Sequence, residues 1–121
     1  MACNRQVILF GALMTGGTPD LYRIDTASNT ILQTVRLTGT TNVDWEESAF
    51  DGTYFYVGDF GNNKDGARTN LKIYKFPFNA IPDYTANPHA AIAKEQIETI
   101  SFTYSNQHKP LVAALVRLNK I

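Results

Sequence analysis

The segment NVDWEESAFDGTYFYVGDFGNN, residues 42–63, holds two β-prone runs on either side of Asp51-Gly52. Asp-Gly is a two-residue pair that accepts the positive φ a tight hairpin turn demands. Before it, alternation puts Val43, Trp45, Glu47 and Ala49 on one face and Asp44, Glu46, Ser48 and Phe50 on the other, the period of a strand. After it, Tyr54, Phe55, Tyr56 and Val57 are aromatic and β-branched residues suited to a pleated, half-buried surface. The segment predicts a β-hairpin.

The flanks extend the pattern. Residues 20–25, DLYRID, and 30–37, TILQTVRL, are two further strands joined by the turn-forming TASN. In the second of them Ile31, Val35 and Leu37 share a face. On the other side, GNNKDGARTN, residues 61–70, is a long polar loop of the kind that sits at the surface. LKIYKF, residues 71–76, alternates again, and Pro77 and Pro82 then break any regular element. Residues 83–95 read either as a long connection or as a helical turn from Pro88 to Glu95. QIETISFTY, residues 96–104, is another alternating strand.

The ends differ in character. Residues 7–14, VILFGALM, form an apolar run closed by Gly16-Gly17, read as a buried strand, with a short signal-peptide core as the alternative. In PLVAALVRLNKI, from Pro110, the residues Leu111, Ala114, Leu115 and Leu118 repeat at helical spacing. This tail is a short helix or sequence foreign to the rest. The chain thus divides into an apolar strand or targeting remnant at 1–19, a strand-rich region at 20–107 and an atypical tail at 108–121.

Charge narrows the function classes. Lysine plus arginine and aspartate plus glutamate number 11 each, so the net charge is zero. The basic residues are scattered, which argues against nucleic-acid binding by a clustered basic surface. Cys3 is the single cysteine, so no internal disulfide exists. No apolar run is long enough to span a bilayer. The sequence contains no G-x-S-x-G, G-x-G-x-x-G or phosphate-loop motif. His89 and His108 lack zinc-ligand spacing.

LYRID at 21–25 echoes LKIYK at 71–75, about 50 residues on, which is the spacing of four-stranded propeller blades. LYRIDTASNTILQTVRL and AFDGTYFYVGDFGNN together resemble the YVTN-type β-propeller repeat. The run from NVDWEESAF through LKIYKF to ISFTYSNQ also resembles uncharacterised secreted propellers of Bacteroidetes, which carry Trp-Glu-Asp/Glu and Asp-Phe-Gly-Asn-Asn motifs. The resemblance covers residues 18–107. It implies an all-β fold of antiparallel blade-like hairpins, an incomplete β-propeller that is a fragment of a larger extracytoplasmic protein. It also implies a non-catalytic binding or scaffolding module. Its partners would be missing blades or other copies joined through strand edges, and its ligand is not readable.

Acidic and amide side chains cluster in this region. Asp59, Asn62, Asn63 and Asp65, with Glu46, are candidate calcium ligands, because hard oxygen donors are what calcium takes. The alternative is that they cap turns and satisfy loop backbone. Glu46, Asn62 and Asp59 are also the residue types that metal-dependent propeller hydrolases of the gluconolactonase and phosphoesterase type use, which makes such a hydrolase the rival function. Trp45 is expected to pack between blades, and Arg68 to pair with Asp59 or Glu46.

Overall fold

A carboxylate side chain at one end and a left-handed asparagine at the other set the tight reversals from which the sheets grow. Asp51 Oδ1 accepts the backbone N–H groups of Thr53 and Tyr54 at 2.9 and 2.7 Å, and Gly52 takes a φ of +100° between them. The two loop residues are Gly52 and Thr53, closed by the Asp51 N–H on the Tyr54 carbonyl at 3.2 Å, one position later than the expected Asp51-Gly52. At the other reversal Asn29 adopts a φ of +59°, and its N–H donates to the Asp25 carbonyl at 2.7 Å. Asparagine tolerates this left-handed conformation better than most side chains do.

The computed structural model describes the backbone of residues 8–11 and all of residues 17–61 and 68–103. The strands are β1 (Ile8–Gly11), β2 (Asp20–Asp25), β3 (Thr30–Leu37), β4 (Trp45–Phe50), β5 (Tyr54–Asp59), β6 (Leu71–Pro77), β7 (His89–Ile92) and β8 (Glu98–Phe102). They form two four-stranded sheets, ordered β1-β2-β3-β7 and β4-β5-β6-β8. All pairings are antiparallel except β3 with β7. The architecture is all-β, as the sequence implies, and the strand at the apolar run spans Ile8–Gly11.

The first sheet presents Leu21, Val35, Leu37 and Ile92 to the second, which answers with Trp45, Phe55, Val57, Tyr74 and Phe76. These side chains make the main core. The second sheet also carries an apolar cluster on its far face: Ala49, Tyr56, Phe60 and Leu71, with Ile73 and Phe102 packed against them. Phe60 folds back over Gly58, where a Cβ would stand 2.2 Å from the ring. Glycine here makes room for the phenylalanine that covers it.

Two bulges overturn the simple alternation. Trp45 lies opposite Asp59 and Glu47 opposite Gly58, so Glu46 is the extra residue. Parity then flips: Trp45 faces the first sheet, whereas Ala49 faces away from it. In the first sheet Arg23 lies opposite Gln33 and Ile24 opposite Ile31, leaving Leu32 over. Ile31 is consequently 60% exposed instead of joining Val35 and Leu37.

The stretch after Pro77 departs furthest from expectation. In place of a helical turn from Pro88, residues His89–Ile92 form β7, with 3-10 turns before and after it at Phe78–Ala80 and Lys94–Gln96. β8 is shorter than the strand expected over 96–104. Gln33 is the organiser of this stretch. Its Nε2 donates to the carbonyls of Pro82 and Asn87 at 3.0 and 2.9 Å, and its Oε1 accepts from Arg23 Nε at 3.2 Å. A fully buried amide with both ends satisfied in this way ties the connection onto the first sheet. The expected C-terminal helix lies outside the described residues.

Replacing Gln33 by leucine keeps the volume but removes these bonds. The Gln33→Leu protein should lose about 1–3 kcal/mol of stability. Amide hydrogen exchange should rise first in β7, ahead of β4 to β6; uniform acceleration across both sheets would contradict this role for Gln33.

Candidate functional site at the head of β4

β5 ends on Asp59 and β4 begins on Trp45, which the register sets side by side. Asp59 is fully buried. Its Oδ2 accepts the Val43 N–H at 3.2 Å and its Oδ1 the Asp44 N–H at 2.9 Å. The Arg68 guanidinium stands 2.9 Å from Oδ1 through Nη2. Of the two partners expected for Arg68, the structure shows Asp59. Arg68 also donates from Nη1 to the Gly61 carbonyl at 3.2 Å and from Nε to Asn70 Oδ1 at 2.7 Å. One carboxylate thus joins the entry to β4, the exit from β5 and the far end of the 61–70 loop.

Neighbouring bonds complete the junction. Asn42 Oδ1 accepts the Trp45 N–H at 3.0 Å, while its Nδ2 donates to the Thr18 carbonyl at 3.2 Å, linking the approaches to β2 and β4. The Trp45 indole N–H donates to the Thr41 carbonyl at 2.9 Å. The ring itself packs in the core between the sheets, 6.3 Å from Tyr74 between centroids. Gly61 N–H donates to the Asp44 carbonyl at 3.1 Å. A Cβ on Gly61 would lie 2.0 Å from Asp44 Oδ2 and 2.7 Å from Asp44 Cβ, so this approach requires glycine.

Of the candidate calcium ligands, Asp59 sits inside this junction with two backbone donors and an arginine on its oxygens. Glu46 is exposed, at the bulge. Asn62, Asn63 and Asp65 lie outside the described residues. Among the described residues no three histidine, cysteine, aspartate or glutamate side chains converge as a metal site would need. His89 is an exposed residue of the edge strand β7.

A second polar group that sequence reading missed lies on the far face of the second sheet. Tyr56 OH donates to Asp51 Oδ2 at 2.6 Å. Lys75 Nζ stands 4.3 Å from the Tyr54 ring centroid and 3.8 Å from Glu98 Oε1. The signal was present in the alternation, because Tyr54, Tyr56, Lys75 and Glu98 all share one face. It became legible only once the β5-β6-β8 register was known.

No family model, no curated protein and no solved structure matches this chain. Among the described residues no helix is long and apolar enough to cross a membrane.

Asp59→Ala leaves a partly buried guanidinium and two backbone N–H groups without their acceptor. A loss of about 3–5 kcal/mol is expected, readable by urea unfolding; a change below about 1 kcal/mol would show that the junction is peripheral to stability. A second expectation concerns pH. The Tyr56 hydroxyl, with the Tyr54 and Thr53 N–H groups, holds Asp51 down at about 2, and the same bond pushes Tyr56 up to about 12. The stabilisation from the pair is complete between about pH 5 and 9. It is lost as pH falls from about 4 toward 2, where folded Asp51 takes up its proton, and as pH rises from about 10 toward 12, where folded Tyr56 loses its own. The difference in Tm between the protein and Tyr56→Phe should therefore be flat at neutral pH and shrink at both extremes.

Proposed function

We propose that the chain supplies blades of a propeller-type protein, one complete and one lacking a strand, and acts as a non-catalytic binding or scaffolding module. The observation that carries this reading is the placement of the two echoing segments. LYRID forms β2 and LKIYK forms β6, each an inner strand with an antiparallel neighbour on both sides, β1 and β3 in one sheet and β5 and β8 in the other. Their leading residues, Leu21 and Leu71, are both fully buried and look the same way along the stack. Leu21 faces the second sheet, and Leu71 faces away from the first. The far face of the second sheet thus stands where the inner face of the first stands, as a surface on which another sheet is laid.

In this alignment β1-β2-β3 match β5-β6-β8, β4 has no counterpart in the first sheet, and β7 is an added outer strand. Placement outside the cytoplasm rests on the resemblance of residues 18–107 alone. The reading assigns the Asp59 junction to holding blades in shape. It leaves interaction with partners to the sheet faces.

Replacing Ile73 and Ile100 together by lysine tests the docking role, since both side chains lie on the far face, opposite one another. The far-ultraviolet circular dichroism and cooperative unfolding should persist, while association of the chain with any β partner, itself included, is abolished. Unfolding of the double variant would show that this face is monomer core and would overturn the reading.

A further inference from the structure

The far face of the second sheet is not uniform. Ala49, Tyr56, Phe60 and Leu71 are already buried by their neighbours. What stays open is the β6-β8 half. There Ile73 is half-buried, Ile100 is 38% exposed, and Lys75 and Glu98 lie side by side. The register orders this half into rows: Lys75 beside Glu98, Ile73 beside Ile100, Leu71 beside Phe102.

We propose that this half-face docks against the same half-face of a second copy of the chain, in a twofold-symmetric dimer. The inference rests on the reading of the face as a docking surface and adds the identity of its occupant. A twofold axis running along the strands, between β6 and β8, exchanges the two strands and keeps every row level. Lys75 then meets Glu98 of the other copy, and Ile73 meets Ile100. An isologous interface has to be self-complementary in this way, and aligned sheets cross at a modest angle that preserves such rows. With equal numbers of acidic and basic residues in the chain, no net charge opposes the approach.

Docking on the outer face of the first sheet is the competing arrangement, and chemistry disfavours it. That face carries the paired Arg36 and Asp20, whose second bond, Nη2 to Oδ2, is 3.0 Å long, with Thr34 and His89 on neighbouring positions. Covering the ion pair with isoleucine would desolvate it and supply no new partner.

The test uses the full chain with Cys3→Ser, so that an introduced cysteine is the only thiol. Ile100→Cys lies about one strand spacing from its symmetry mate across sheets about 10 Å apart, too far for a direct disulfide, and should be joined by a short bis-maleimide into a covalent dimer at twice the 13.5 kDa chain mass. Thr99→Cys, turned to the opposite face beside Tyr74, should not. Lys75→Glu should weaken the non-covalent dimer roughly tenfold or more, since like charges then meet across the interface. Lys75→Glu with Glu98→Lys should restore it. Three results would overturn the proposal. One is a monomer at all concentrations in which the thiol of Ile100→Cys reacts freely with iodoacetamide; this leaves docking of a different partner standing. Another is a monomer in which that thiol is protected, which means the chain's own residues cover the face. The third is an oligomer larger than a dimer in which Ile100→Cys does not cross-link, which means docking is head-to-tail. Retained association in the double lysine variant would instead remove the docking reading itself.

Discussion

The Asp59 carboxylate is the constraint on which the second sheet depends. By accepting the Val43 and Asp44 N–H groups it takes those two residues out of the ladder and sets the start of β4 at Trp45. The bulge at Glu46 comes immediately after. That single extra residue sends Trp45 into one core and Ala49 into the other. Without the junction, Val43, Trp45, Glu47 and Ala49 would share a face, and a glutamate would be driven into the space between the sheets. The buried ion pair is therefore less a source of net stability than a device that fixes register, with a cost if either partner is removed.

Much of this fold was legible in local chemistry. Asp51-Gly52 and TASN announced their reversals through local chemistry: Asp51 and Asp25 carboxylates bond to backbone two or three residues on, and Gly52 and Asn29 accept positive φ. The strand at 71–76 is legible from alternation, and those at 20–25 and 30–37 from the TASN turn that joins them, although the bulge at Leu32 moves Ile31 to the other face. The features that escaped depend on long-range partners. Glu46 and Leu32 look like ordinary members of their strands, and nothing near them reveals a bulge. His89–Ile92 is short and flanked by proline, and it is a strand only because β3 offers an edge and Gln33 holds the approach in place.

The candidate site was legible in part. The polar loop between Asp59 and Arg68 makes Asp59 one of two expected partners for Arg68, with Glu46 the other, and the pair with Asp59 forms. Their depth was not foreseeable, and depth decides what the pair does: with two backbone donors and a guanidinium on Asp59, its oxygens serve structure. The aromatic and charged group around Tyr56 and Lys75 was invisible until three strands were in register. A surface feature assembled from β5, β6 and β8 leaves only single residues in each segment of sequence.

The parallel strand β7 has a further consequence for how the chain comes to be folded. It belongs to the first sheet, yet it lies between β6 and β8 in the sequence. During synthesis β3 therefore waits with an open edge while three strands of the other sheet emerge, and the first sheet closes only when residue 92 is available. The two sheets cannot mature one after the other as separate units. Their assembly is interleaved, and a break in the chain between Pro77 and His89 would detach the outer strand of the first sheet from the strand that precedes it in the second.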